Sequence, residues 1–343
     1  MNTPTTPLPS PRLSSGLARR REMIFDVLIW FGISMGISAL VLIPLGKLFP
    51  GVQGALEVLP TFARDCVQFM AVLVASIVVA RREGVSLAVY GLPGRDAFKF
   101  KFWEGIVWGF VMLSTLIGML VALKALRIDS IALAGVYVWK YAFAWGVAFI
   151  VLGLWEEFFF RGFLLFRIAT RMGYWSAAFL MAISFAFAHL GNHGENVLGI
   201  VQVFVFALFA SFALERTGSL WFPIGYHAAW DWAQTYFWGT PDSGLVSVGH
   251  YFTTIPSGPA WLSGGTGGPE GSVLCIVVLA LSALIVHWRF PRPQFPLAGT
   301  LEAVRDGVGR PSPSHASAPT MRTAGNDSSP AIRFSIVVRG ESH

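Results

Sequence analysis

Two glutamates and an arginine stand inside one long apolar run, in the stretch Trp155-Glu156-Glu157-Phe158-Phe159-Phe160-Arg161. Ionisable groups are expensive in such surroundings and mark a functional site by default. On a helix, residues four apart share a face, so Glu157 can pair with Arg161, with the acid preceding the base in the favourable order. Glu156 points about 100° away from Glu157, which leaves its carboxylate available as a general base or acid. The competing reading of Glu157 and Arg161 is an ion pair that only locks helices together.

Two further polar constellations interrupt apolar runs downstream. Phe185-Ala186-Phe187-Ala188-His189 is followed by Asn192 and His193. A neutral His189 bonded to a backbone or hydroxyl group would be ordinary interhelical glue, whereas His193 and Glu195 fall at a turn, where exposure is expected. In His227-Ala228-Ala229-Trp230-Asp231 the imidazole and the carboxylate share a helix face. Asp231 can orient His227 or both can ligate a cation, and again an interhelical lock is the alternative. Glu, His, His and Asp on three separate apolar segments make a set that can activate a water.

These residues need a membrane scaffold to position them. The chain has 343 residues, of which 54% are hydrophobic and 13% charged. That balance departs from soluble domains toward a polytopic membrane protein. Apolar runs of spanning length lie at about 24–46, 63–80, 103–123, 141–166, 174–193, 196–214, 219–238 and 272–288, judged against roughly 20 residues per span. The expected fold is an all-α bundle of about eight transmembrane helices around a polar intramembrane cavity. A fourth span running unbroken to Arg167 places Glu156 roughly 16 Å from that arginine at 1.5 Å per residue, near mid-bilayer. Counted from their own starts, His227, Asp231 and His189 reach compatible depths if the helices tilt.

Positive residues are retained on the cytoplasmic side. With the N-terminus inside, that side collects Arg12, Arg19, Arg20, Arg21, Arg81, Arg82, Arg95, Lys99, Lys101, Arg167, Arg171, Arg216, Arg289 and Arg292. The outer side has Lys47, Arg64, Lys124, Arg127 and Lys140. Fourteen against five favours a multi-pass protein of the plasma (inner) membrane with both termini cytoplasmic. Residues 1–22 read as a disordered basic arm, 23–290 as the membrane-embedded domain, and 291–343 as a Pro/Ser-rich tail. The outer loop 239–271 is dense in Gly, Pro and Ser, which implies flexible turn chemistry.

Other signals carry less. The net charge of +6 is distributed between apolar runs, not gathered into a basic patch with interleaved aromatics, so no nucleic-acid partner is expected. Cys66 and Cys275 indicate packing, not a disulfide framework or a cysteine zinc site. Gly32-Ile33-Ser34-Met35-Gly36 has the letters of a nucleophile elbow but lies in a continuous apolar helix. The pairs Gly32/Gly36 and Gly105/Gly109 permit close helix packing within the chain. HExxH is absent, and a sequon at Asn326 falls in the expected cytoplasmic tail.

Glu156-Glu157 with Arg161 fits EExxxR, Phe185 with His189 fits FxxxH, and His227 with Asp231 fits HxxxN/D. In that order the chain resembles the CPBP intramembrane proteases, the group that holds the CAAX prenyl endopeptidases and bacterial Abi proteins. The similarity covers roughly residues 85–238, including Tyr90-Gly91-Leu92 and Ser219-Leu220-Trp221-Phe222-Pro223. The resemblance implies hydrolysis of a peptide bond in a membrane-associated peptide or protein, without a covalent intermediate. Glu156 and His189 would activate the water, Glu157 would be a second acidic member held by Arg161, and His227 with position 231 would stabilise the oxyanion. The prenyl endopeptidases have Asn where this chain has Asp231, and an ionised Asp cannot donate a hydrogen bond. The cofactor is open between zinc, which three or four N/O ligands would suit, and a metal-free glutamate mechanism. A different class of function, a non-catalytic peptide binder of the bacteriocin-immunity type or a transporter, would use the same cavity. Against a transporter stands the lack of internal symmetry or paired broken helices.

Overall fold

A computed structural model describes residues 13–48, 55–192, 194 and 196–295. The first seven apolar runs fold as α1 (Leu13–Leu48), α2 (Val58–Glu83), α3 (Phe100–Ala122), α4 (Val136–Arg161) and α5 (Phe163–Met172), which divide the fourth run, α6 (Tyr174–His189), α7 (Val197–Thr217) and α8 (Trp221–Asp231). A π-helical turn, Trp232–Phe237, extends α8. The short α9 (Ala260–Ser263) and the apolar α10 (Val273–Arg289) complete the set. Five helical segments among the described residues are long and apolar enough to cross a membrane, Arg21–Lys47, Val58–Glu83, Phe100–Ala122, Val136–Met172 and Val197–Thr217, while Tyr174–His189 and Val273–Arg289 are shorter apolar helices. The outer surface suits lipid: Leu40 is 77% exposed, Phe143 76% and Trp288 80%, an arrangement that would leave large apolar patches in water.

Two boundaries differ from expectation. Helix α1 begins at Leu13, inside the stretch read as an arm; residues 1–12, the tail from 296 and its sequon at Asn326 lie outside the described residues. The fourth span does not run unbroken to Arg167. It ends at Arg161, and Gly162 leaves the helix with φ −87° and ψ −122° before α5 starts. A Cβ on residue 162 would lie 2.3 Å from the carbonyl oxygen of Phe158, so only glycine allows the chain to fold back this tightly. The break turns Arg167 toward α1 and α2, where its Nη2 reaches Asp26 at 3.1 Å and Glu83 at 2.9 Å.

Helices α3 and α8 form the tightest pair, and Gly105 and Gly109 are the reason. A Cβ on either would stand 2.2 Å from a backbone oxygen of α8, that of Phe222 or of Tyr226. Small residues let backbones approach this closely. Gly32 and Gly36, by contrast, have nothing within 4 Å of where a Cβ would be, so the expectation of close packing holds for one Gly-xxx-Gly pair and not the other. Cys66 is half-buried and Cys275 buried, both as free thiols.

The connections sort into two ends. At one, Leu220 N donates to Gly91 O at 2.7 Å and Trp221 Nε1 to Pro93 O at 3.0 Å, Lys101 Nζ meets Thr217 O, and Arg216 Nη1 donates to Pro291 O at 2.6 Å. This end carries most of the basic residues. At the other, β1 (Ala55–Leu56) pairs in parallel with β3 (Val246–Ser247), and β2 (Leu126–Ile131) pairs antiparallel with β4 (Phe252–Pro256). Asn192 Nδ2 donates to Ser243 Oγ at 3.1 Å. The loop read as flexible turn chemistry is thus tied by strand pairing and side-chain bonds into a cap over the helix ends.

Candidate active site

Helices α4 and α8 run side by side because Gly153 is small: a Cβ there would lie 3.1 Å from the Ile224 carbonyl oxygen. This packing brings the second glutamate onto His227. Oε1 of Glu157 accepts from Nη1 of Arg161 at 2.8 Å and from Nδ1 of His227 at 2.8 Å. The i, i+4 pairing expected from the sequence is present, and it extends to a histidine on another helix. Glu157 is 0% exposed and Arg161 1% exposed. The guanidinium lies over the rings of Phe185, 4.7 Å from the centroid, and Phe206 at 5.9 Å, which compensates part of its desolvation. Oε2 of Glu157 and Nη2 of Arg161 have no hydrogen bond among the described residues.

With Nδ1 donating to Glu157, the other ring nitrogen of His227 faces two more carboxylates. Its Nε2 is 3.8 Å from Glu156 Oε2 and 3.6 Å from Asp231 Oδ2. Both separations exceed a direct hydrogen bond and leave the three groups poised around a shared proton or a water. Glu156 makes no ion pair with Lys or Arg among the described residues, as its helical phase predicted. The ring of Phe206 packs on His227 at 4.7 Å and fixes the imidazole plane.

His189 ends α6 with Nδ1 2.8 Å from the carbonyl oxygen of Phe185. A carbonyl only accepts, so Nδ1 carries the proton and Nε2 keeps its lone pair. The backbone bond that ordinary glue would make is therefore also what selects a tautomer fit to accept a proton. Glu156, His189, His227 and Asp231 line one cavity of about 400 Å³. Glu157 and Arg161 lie behind it as a buried support.

The cavity walls include residues that the sequence did not single out. From α2 come Arg64 and Gln68, from α7 Gln202, and from the cap Asp242, Ser243 and Glu270. Trp230 Nε1 donates to Glu270 Oε1 at 3.0 Å, which ties the Gly-rich segment to α8. Burial raises the Asp242 carboxyl above its ordinary range, with Glu156 adding to the rise and His189 and His227 opposing it. No local pattern flags Asp242 or Glu270, since both sit in Gly/Pro-rich loop; the only hint for Arg64 is an adjacent Arg-Asp pair in an apolar run. As the side chains stand, no group of three or more His, Cys, Asp or Glu among the described residues is arranged to hold a metal ion. His193 and Glu195 lie outside the described residues.

No curated protein and no solved structure matches the chain. A family model does: residues 137–233 match the one described as type II CAAX prenyl endopeptidase Rce1-like. The matched segment runs from the start of α4 through α8 and contains every one of Glu156, Glu157, Arg161, His189, His227 and Asp231. Residues 137–233, which carry the cavity's central acids and histidines, match the CPBP/CAAX protease family.

Proposed function

We propose that the protein is an intramembrane endopeptidase that hydrolyses a peptide bond of a membrane-associated peptide or protein with a water activated by Glu156 and His189. The observation that carries the reading is the division of labour between adjacent glutamates: Glu157 is consumed by Arg161 and His227, while Glu156 lines the cavity with no direct hydrogen bond to a basic side chain among the described residues. Glu156 takes a proton from water as the oxygen attacks the scissile carbonyl carbon, with His189 Nε2 accepting a hydrogen bond from the same water. The carbon–nitrogen bond then breaks as the proton passes to the leaving amine. His227, protonated on Nε2, donates to the developing oxyanion, and Glu157 stabilises the imidazolium from behind. Asp231 stands where the prenyl endopeptidases have Asn and, 3.6 Å from His227 Nε2, orients that imidazole.

Its integral membrane character follows from the family and the apolar helices. We place it in the plasma (inner) membrane with both termini cytoplasmic, on the charge asymmetry. Lipid and a membrane-associated substrate are its partners. The donor set could take zinc only by rearranging, so no step is drawn through a metal; activity of protein freed of metal by chelation and checked by elemental analysis decides between the glutamate and metal-dependent types. The direct test is Glu156→Gln in detergent-solubilised protein against a quenched-fluorescent peptide library. Undiminished turnover removes Glu156 as the base that activates the water. Ligand binding or flux that survives the substitution with no cleavage by either protein would favour the peptide binder or transporter.

A further inference from the structure

The cavity wall carries more negative charge than a water-activating pair needs. Glu156, Asp231, Asp242 and Glu270 all line it, and among the described residues Arg64 is the one Lys or Arg that does. That arginine is already committed: its Nε donates at 2.9 Å to Oδ1 of Asp65, a carboxylate 0% exposed and outside the lining. With the buried partners Asp65, Glu157 and Arg161 included, six carboxylates stand against two guanidiniums and, when His227 is protonated, one imidazolium. Charge left unmatched in such apolar surroundings is costly until a proton or a cation joins it.

Tight local structure places the two acids that come from the cap. Asp242 opens a two-residue turn: its N donates to Leu245 O at 2.9 Å, and Leu245 N donates back to Asp242 O at 2.8 Å. Ser243 and Gly244 between them have φ of 48° and 80°, the pair of positive values that closes a tight hairpin. Glu270 lies in the helical turn Pro269–Gly271 and accepts from Trp230, the residue before Asp231. Gly268 joins the two segments, since a Cβ there would stand 2.0 Å from the Pro241 carbonyl oxygen. Two acceptors of the same wall lack a donor. Asp231 is 8% exposed and comes no closer to a basic group than the 3.6 Å that separates it from His227. Gln202, 1% exposed, hydrogen-bonds Cys275 and leaves its Oε1 without a partner among the described residues.

A wall of acceptors calls for a donor that carries positive charge. No three of the acids and histidines among the described residues are arranged around a metal ion, whereas an organic cation can reach from one carboxylate to the next within a cavity of about 400 Å³. We propose that Asp231, Asp242, Glu270 and Gln202 form a subsite for a basic side chain, Lys or Arg, of the polypeptide substrate. A guanidinium brings five donors and an ammonium three, enough to meet several of these acceptors at once. Burial and Glu156 hold the Asp242 carboxyl above its ordinary range, and a bound cation draws it back down. Because Asp231 and Glu156 both approach His227 Nε2, the basic residue sits at or beside the scissile bond, where successive Cα atoms are only about 3.8 Å apart. The inference rests on the proteolytic reading for the substrate being a polypeptide; the excess of acids does not depend on it.

The test uses full-length protein in detergent and N-acetylated quenched-fluorescent peptides that differ at one position at a time, Lys or Arg against norleucine or Glu. The expected result is a kcat/KM about 10–100-fold higher for the basic peptide than for its norleucine twin, the usual worth of hydrogen bonds to a charged group. That preference should vanish in Asp242→Asn combined with Glu270→Gln, which removes charge and keeps the acceptors. Equal cleavage of basic and norleucine peptides, or a preference for Glu, overturns the subsite and leaves the protease standing. A preference that survives in the folded double variant overturns the assignment to these residues. Should the double variant fail to fold, the peptide comparison on the parent protein still decides. A norleucine peptide with a free amino terminus, cut as fast as the acetylated Lys peptide, would overturn the side chain as the source of the cation. If no peptide is cut, the proteolytic reading falls, and fluorescence anisotropy of the same peptides decides the subsite: about tenfold tighter binding of the Lys peptide supports it, and equal affinity overturns it.

Discussion

Two clusters of acids and arginines sit in this bundle, and they are built to opposite rules. At the end of the bundle opposite the cap Arg167 bridges Asp26 and Glu83, Arg82 reaches Asp26 at 3.3 Å, and Tyr90 donates to Glu83 Oε2 at 2.7 Å. Each carboxylate there has a cation, and the cluster ties α1, α2 and α5 together. In the cavity, by contrast, Glu156 and Asp231 approach His227 without closing a direct bond, whereas Glu157 behind it is paired as tightly as Asp26 and Glu83 are. The same residue types thus make a scaffold where charges are matched one to one, and a cavity where Glu156 and Asp231 stand close to His227 and share a wall with Arg64 without a direct bond to either.

That contrast can be broken in order of expected effect. Glu156→Gln should lower cleavage by roughly 10²–10⁴-fold, the usual contribution of a positioned general base, while thermal unfolding in detergent stays at the parental value. A protein that melted early would move Glu156 into the scaffold. Arg161→Met leaves Glu157 buried without its guanidinium and should cost about 3–5 kcal/mol of stability in reversible SDS unfolding. Cleavage should fall with it, because His227 loses its fixed partner. Arg167→Met should cost less, about 1–3 kcal/mol, since its side chain is 11% exposed and sits at the bundle end. Its turnover per folded molecule should match the parent; a selective loss of turnover would join the two clusters into one functional unit.

The smallest effect concerns the cap. The folded Asp242 carboxyl titrates above its ordinary value of 3.8, so the folded state holds its proton more tightly than the unfolded state. The resulting stabilisation is complete below that ordinary value and is lost as pH rises through the raised one. Hydrogen exchange in residues 239–271 should quicken across that window, and Asp242→Asn should flatten the dependence. An unchanged profile in the variant would assign the titration to another group.

The cavity's acids and histidines on α4, α6 and α8 were legible in the sequence because ionisable residues inside apolar runs are rare and costly. Helical phase then separated Glu156 from Glu157, and the bond to Arg161 is present as the i, i+4 spacing requires. The spans were legible from their apolar length, but the break after Arg161 was not, since a single glycine in an apolar run gives no warning that the backbone closes on Phe158. His189 shows how two readings merge: the backbone bond expected of a packing histidine is what sets its tautomer.

Composition and spacing alone pointed to a membrane helical protein and singled out Glu156, Glu157, Arg161, His189, His227 and Asp231 as ionisable residues within apolar runs, because hydropathy and helix phase are local properties. Only the tertiary structure decided that His227 bonds Glu157 and that a Gly/Pro-rich loop forms a cavity wall with Asp242 and Glu270. Those depend on which helices touch, and residues as far apart as Glu157 and His227 meet only because Gly153 lets α4 and α8 pack closely. Spacing along the chain carries no record of that contact.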